Sequence, residues 1–244
     1  MHRNFHVIVL KHQDYKERDR LYTFFTREEG KIIVRGSGAR KSGAKLAPHL
    51  EPLMASFVVV ARNRGRGTVT FALCEENFRY IRNHVQALCL ARNSCDVVEQ
   101  LLRSTDPQKE LYDLVLMYLR TLDTLVAHNV ATVTLRTVTY GFLTHLLAYL
   151  GWHVESRRCV HCKEVLQEQK SYIYSLQEGG FLCMTCQKNV RNIQRYSVIL
   201  SRNAVIALWL FHTNSIPSLA KVKVSQDVCD ELANFSMRRI AWVL

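Results

Sequence analysis

"VIVLKHQDYKERDRLYTFFTREEGKIIVRGSGARK", Val7 to Lys41, holds three runs rich in β-branched and aromatic residues. They are "HVIVLKHQ", "LYTFFTRE" and "KIIVRG", separated by the polar turn clusters "DYKERDR" and "EEG". Runs of this length and composition between such clusters read as short β-strands. The third run empties into "VRGSGARKSGAK", Val34 to Lys45, which carries three glycines after Val34-Arg35 and the basic residues Arg35, Arg40, Lys41 and Lys45. A glycine-rich, lysine-bearing loop after a strand has three readings: a phosphate cradle, a basic arm along a nucleic-acid backbone, or a solvated connection.

Working outward, "MASFVVVAR" and "TVTFAL" add two more strands, joined by "NRGRG". Five short strands in about 80 residues fit a small β-barrel of the OB type. The long connection after the third strand is where such barrels insert a helix; Pro48 and the glycines keep any helix there short. From residue 79 the texture becomes helical. In "DPQKELYDLVLMYLRTLDTLVAH", Asp106 suits a cap and Pro107 a first helical position, followed by a Leu111, Leu114, Tyr118, Leu122, Leu125 stripe. "TLRTVTYGFLTHLLAYLG" places Leu135, Val138, Phe142, Leu146 and Tyr149 on one face and ends at Gly151. "SRNAVIALWLFHTN" and "QDVCDELANFSMRRIAWVL" read as two further helices. The expected architecture is α+β and multidomain. An OB-fold barrel over residues 1–78 precedes an all-α domain over 79–244, with an embedded four-cysteine zinc ribbon at about 157–190.

The 244 residues include 48% hydrophobic and 22% charged side chains, a composition that folds rather than stays disordered. No apolar run reaches the ~18 residues of a membrane span, and no signal peptide is evident, so a soluble, non-secreted protein with no membrane partner is expected. The net charge is +12, and it is uneven. Residues 1–80 hold 15 basic and 8 acidic side chains, a net of +7 in a third of the chain, and nothing acidic lies between Glu29 and Glu51. Such an excess draws polyanions, which makes nucleic acid the leading partner class; general solubility is the bland alternative.

Four of the eight cysteines, Cys74, Cys89, Cys95 and Cys229, stand among apolar residues and read as buried small hydrophobes. The others are paired: Cys159-x-x-Cys162, twenty residues, then Cys183-x-x-Cys186. Each knuckle turns two thiolates into one volume, and two knuckles complete a tetrahedral site for one structural Zn²⁺. "SYIYSLQEGGFLC", with Gly179-Gly180 near its turn, reads as the hairpin that brings them together. An iron–sulfur cluster uses the same donors. Disulfides need an oxidising compartment, and a redox CxxC needs a βαβ setting that is missing here. His161 reads as a bystander to four sulfurs. A closed four-sulfur site has no open position for catalysis.

The glycine-rich loop fails as a nucleotide cradle, because from Gly38 the sequence runs G-A-R-K-S-G-A-K, with alanine where the P-loop lysine belongs. No other catalytic motif stands out, and no enzyme is expected. The loop reads better as a phosphate-contacting surface, its small residues exposing main-chain N–H groups and Lys31, Arg35, Arg40, Lys41 and Lys45 adding charge. Arg62, Arg64 and Arg66 form a second basic tip between the last two strands, one of the loops with which OB barrels touch oligonucleotides. Tyr22, Phe24, Phe57 and Phe71 are available for stacking on bases, with core packing the commoner role for each.

These motifs together resemble the bacterial recombination mediator family RecO. The similarity runs through Asp14-Tyr15, Glu17, Asp19, Leu21, Phe25-Thr26, Gly30-Lys31, Gly38-Ala39-Arg40, Leu50 and Pro52. It resumes at Gly151, Cys159, Cys162, Gly179, Gly180, Cys183 and Cys186. An extra Gly-Ser around Ser37 and His6 in place of a common glycine are small departures. The resemblance implies a non-enzymatic protein of the bacterial cytoplasm, associated with the nucleoid. It implies binding to single- and double-stranded DNA, annealing of complementary strands, and assistance to RecA loading. The partners implied are RecR and the C-terminal tail of single-stranded-DNA-binding protein. An OB and zinc-ribbon protein that binds RNA in transcription or translation shares every residue-level feature and is the alternative.

Overall fold

The first five runs are strands of one barrel; burial alternates along the third and fourth, while the second is buried on both faces. In the computed structural model, which describes residues 2–62, 66–102, 107–188 and 195–244, the strands are β1 (His2–Tyr15), β2 (Asp19–Thr26), β3 (Gly30–Gly36), β4 (Ala55–Ala61) and β5 (Thr68–Glu76). They close in the order β1-β2-β3-β5-β4, with β4 pairing back onto β1 and only β3–β5 parallel. This is the five-stranded OB architecture that the sequence predicts. Phe5, Val7 and Val9 of β1, Tyr22 and Phe24 of β2, Ile32 and Val34 of β3, and Val58 and Val60 of β4 fill the interior. The connection after β3 holds only the short 3₁₀ turn Ala47–His49.

Alternation sends Phe25 to the outside of β2, yet it is fully buried. Its ring meets Tyr112 at 5.7 Å between centroids. Tyr112 belongs to α3 (Lys109–Ala127), which follows α1 (Arg79–Arg82) and α2 (Val85–Leu101). These helices cluster with the barrel in one compact unit, Met1–Ala127, and the rest of the chain forms a second, His128–Leu244. Helix α3 begins two residues beyond Pro107 rather than on it, and the cap expected at Asp106 lies outside the described residues. In α3, Leu111, Tyr118 and Leu122 of the expected stripe are buried, joined by Tyr112, Val115, Leu119 and Val126.

The second unit is built on α4 (Thr132–Tyr149), which buries Leu135, Val138, Phe142 and Leu146. Tyr149 does not continue that face; it is 44% exposed. Gly151 follows at φ +91°, the left-handed position that ends a helix. A three-stranded sheet comes next, β6 (Ser171–Ser175) between β7 (Gly180–Leu182) and β8 (Ser197–Ser201), with the one-turn helix α5 (Met184–Gln187) after β7. Helices α6 (Arg202–Thr213) and α7 (Gln226–Val243) complete the unit. Ser201 and Ser225 cap them by accepting N–H bonds from Ala204 and Val228. Gly141 of α4 leaves room for Leu219, whose Cδ1 would stand 2.2 Å from a β-carbon there. Among the described residues, no helix is long and apolar enough to cross a membrane.

Candidate nucleic-acid rim and cysteine cluster

Asp19 organises the glycine-rich loop. It opens β2 with its carboxylate almost wholly buried, and it accepts the Gly38 N–H and the Arg35 Nε–H, each at 2.8 Å. The Gly38 N–H, and then the charge and hydrogen bond of Arg35, hold this carboxyl below its ordinary range against the opposing effect of burial. Gly38 sits at φ +66°, and Gly36 packs so closely on the Tyr22 ring that a β-carbon would lie 2.4 Å from it. Ala39 is drawn into the barrel core. Within the loop, the Arg40 N–H donates to Arg18 O, Lys41 N–H to Gly38 O and Ala44 N–H to Lys41 O, each at 3.0 Å. These four main-chain donors are therefore spent inside the fold and are not open to phosphate. Side-chain charge remains.

That charge is not where the sequence placed all of it. Lys31 donates to the Glu99 carbonyl at 2.7 Å and lies 3.6 Å from its carboxylate, against α2 and away from the loop. Arg35 is held by Asp19, and Arg40 pairs with Asp14 at 3.3 Å and donates to Lys16 O at 3.0 Å. Arg62 pairs with Glu29 at 2.6 Å and lies over the Phe5 ring. Lys41, Lys45 and Arg66 are exposed, and none has a carboxylate partner among the described residues. Arg64 falls outside the described residues. The Arg35 N–H donates to Gly67 O at 2.9 Å, so the β4–β5 tip that carries Arg66 joins the same rim.

Two basic residues escaped the sequence reading. Lys16 and Arg18 form the β1–β2 turn, and with Arg35, Gly38 and Lys41 they line a cleft of about 410 Å³. The available signal was their position, since this turn is the other of the two OB loops that commonly meet oligonucleotides. Of the aromatic candidates, Tyr22 and Phe24 are core and stack on each other at 5.7 Å. Phe71 is 48% exposed and meets Phe57 edge-on at 6.4 Å on the outer β4–β5 face.

The knuckles converge as the cysteine spacing predicts. The Sγ atoms of Cys159, Cys162, Cys183 and Cys186 all lie within 4.8 Å of one another. Cys162 and Cys183 are 3.7 Å apart, about the ~3.8 Å edge of a tetrahedron with 2.3 Å metal–sulfur bonds and far beyond the ~2.05 Å of a disulfide. The first knuckle is fixed by Cys159 N–H to Glu164 O and Lys163 N–H to Cys159 O, with Lys163 at φ +64°. The second is the N-terminus of α5, where Cys183 Sγ accepts the Cys186 N–H. Burial pushes the Cys159 thiol up, but N–H groups of Cys162, Cys183 and His161 outweigh it and bring the thiol down to about 6. Cys186, hydrogen-bonded to Cys183 and desolvated, is pushed up to about 12. Four crowded thiols do not all ionise without a cation among them, and the soft donor set suits a metal ion. His161 Nδ1 lies 3.9 Å from Cys186 Sγ, outside the four. Of the remaining cysteines, Cys95 and Cys229 are buried as expected, Cys74 is half-buried, and Cys89 is exposed, contrary to expectation.

Comparison with known families decides the assignment. The family model described as the N-terminal domain of recombination protein O matches residues 1–78, and its C-terminal counterpart matches residues 82–244. The chain belongs to the recombination protein O family. Similar relatives share this family name. A DNA repair protein RecO of Dehalococcoides mccartyi is 28% identical over 98% of the chain and 89% of its own length. One from Bacillus pumilus is 27% identical over 92% and 82%, and one from Bacillus subtilis 24% over 92% and 83%. Recombination protein O membership assigns the chain to DNA repair and recombination, with the OB barrel as the family's N-terminal domain and the cysteine cluster inside its C-terminal one.

Proposed function

We propose that the chain is a non-enzymatic recombination mediator of the bacterial cytoplasm and nucleoid. It binds single- and double-stranded DNA along the loop rim, anneals complementary strands, and helps RecR load RecA onto strands coated by single-stranded-DNA-binding protein, whose tail is a partner. The rim carries this reading: Lys16, Arg18, Lys41, Lys45 and Arg66 present charge, while Asp19 fixes the loop that bears two of them. Arg35 and Arg40 contribute by shaping that loop and Arg62 by anchoring the neighbouring hairpin, rather than as free phosphate contacts. Cationic side chains that meet phosphates position a strand without reading it. They also neutralise the repulsion between two backbones, leaving base edges free to find their complements.

Cys159, Cys162, Cys183 and Cys186 hold one structural Zn²⁺ in this account. The ion supplies a closed cross-link between the knuckles, and the protein contributes N–H groups that stabilise the thiolates. The test is annealing of two labelled complementary oligonucleotides without ATP, at low and moderate salt. Acceleration that fades as salt rises is expected. Absence of acceleration, with RNA bound better than single-stranded DNA, would overturn the proposal in favour of an RNA-binding protein.

A further inference from the structure

The cysteine cluster has a closed half and an open half. Cys159 and Cys186 are buried and pack with Leu182 in a small core flanked by Val160 and Leu166. Cys162 is exposed and Cys183 half-buried. These two sulfurs belong to different knuckles, yet they stand 3.7 Å apart. A cleft of about 460 Å³ reaches them, lined by Cys162, Cys183, Cys186 and Met184 among others. Met184 is 68% exposed, so the mouth faces solvent. Hydrogen peroxide is little larger than water, whose share of liquid volume is about 30 Å³, and the cleft admits it. A metal ion keeps each coordinating sulfur as a thiolate, and the thiolate is the form that reacts. An accessible thiolate beside a second one is the arrangement that oxidation converts to a disulfide.

We propose that the cluster is a hydroperoxide-sensitive site, in which oxidation joins Cys162 to Cys183 and gives up the metal. The Cys162 thiolate attacks one oxygen of hydrogen peroxide; the O–O bond breaks, hydroxide leaves, and the sulfur becomes a sulfenic acid. The Cys183 thiolate then attacks that sulfur, the S–S bond forms, the S–O bond breaks, and a second hydroxide leaves. The two sulfurs together lose two electrons, and the two peroxide oxygens gain them. An S–S bond of about 2.05 Å requires the pair to close by about 1.7 Å, within reach of a rotation of the exposed Cys162 side chain. A bond within either knuckle would instead need Cys159 or Cys186 to turn out of the packed half. Oxidation leaves Cys159 and Cys186 as two ligands where a structural zinc site uses four, so the ion is released. The new bond spans the same two knuckles and closes a loop of twenty residues between them. One cross-link thus replaces another, and thiol exchange reverses the change, as suits a transient disulfide in a reducing compartment. The inference rests on the metal reading of the cluster and adds its response to an oxidant.

The experiment loads the full chain with zinc under reducing conditions, removes the reductant and adds hydrogen peroxide. A chromophoric chelator reports free zinc against a sample without peroxide. All the bound zinc should be released in step with the loss of two thiols per chain. Alkylation and digestion should then show peptides joined through Cys162 and Cys183, with Cys159 and Cys186 alkylated. Dithiothreitol and added zinc should restore the starting chain. Cys89→Ser removes the other exposed thiol and Met184→Leu the thioether at the mouth; release should stay within twofold of the unaltered chain in both. A reduced chain that holds no zinc would contradict the metal reading and this proposal with it. Zinc retained under peroxide, or released with bonds inside the knuckles or with Cys162 only overoxidised, would overturn this proposal and leave the metal reading standing. Release abolished in either variant would also overturn it, assigning the chemistry to Cys89 or Met184.

Discussion

Gly180→Ala should weaken metal retention without touching a ligand. Gly180 opens β7, and a β-carbon there would stand 2.7 Å from Val160 Cβ and 3.0 Å from its Cγ2. Neither atom is the end of a flexible chain, and the Val160 N–H is tied to Phe181 O at 2.8 Å. Restoring an ordinary carbon–carbon contact of about 3.5 Å requires the first knuckle to retreat by about 0.8 Å. Cys159 and Cys162 flank Val160, whereas Cys183 follows β7, so the retreat separates the two halves of the cluster. Metal–sulfur bonds tolerate only about 0.2 Å. Overpacking of this kind costs about 1–3 kcal/mol, and at 1.4 kcal/mol per decade that is roughly five- to 150-fold in affinity. Competition between the full chain and a chromophoric chelator for zinc measures it. One zinc per chain held within twofold of the unaltered affinity would refute the reasoning.

Asp19→Asn should loosen the loop, read as faster hydrogen exchange at the Gly38 amide and weaker DNA binding. Because the folded carboxyl titrates below its unfolded value, its stabilising effect is complete above about pH 4 and is lost as pH falls further. Acidification below pH 4 should therefore lower the protection of the Gly38 amide, its exchange taken relative to the intrinsic rate at each pH, in the unaltered chain but not in the variant; parallel profiles would count against the Asp19 pin. His212 on α6 packs on His153 at 4.5 Å, with His145, Arg239 and Glu155 nearby, and burial first, then His153 and His145, pushes it down to about 4. The unfolded imidazole takes its proton near pH 6.5 and the folded one does not, so stability falls between pH 6.5 and 4. After allowance for partial exposure the loss is about 2 kcal/mol. Denaturant unfolding at pH 7 and pH 5 should show a smaller fall in His212→Gln, and equal falls would remove His212 as the cause.

Local patterns were legible and distant partnerships were not. The five strands and the cysteine knuckles depend on alternation and spacing within a few residues, so the sequence exposes them directly. Helix α2 escaped notice because the first three turns of its buried face are Ala87, Ala91, Ser94 and Cys95, small side chains with little apolar contrast, and larger ones, Val98 and Leu101, come only at its end. Strand β8 escaped because Val198 and Leu200 are its only large inward residues, while Ile199 is 65% exposed. The basic loop shows the limit most clearly. Its positive charge is plain in the sequence, but which cations stay free depends on Asp14, Asp19, Glu29 and Glu99, carboxylates that only the closed barrel and its helices bring within reach. For the same reason Lys16 and Arg18, in a turn that looked merely polar, belong to the rim.

The salt dependence of single-stranded DNA binding tests the rim most directly. Each phosphate contact contributes a slope of about −0.7 in log affinity against log salt on a single strand. Lys16→Gln, Lys41→Gln and Lys45→Gln combined should flatten the slope by about 2 and weaken binding equally for unrelated sequences, with an unchanged melting temperature. An unchanged slope and affinity in a folded triple variant would contradict the assignment of this loop to the DNA backbone.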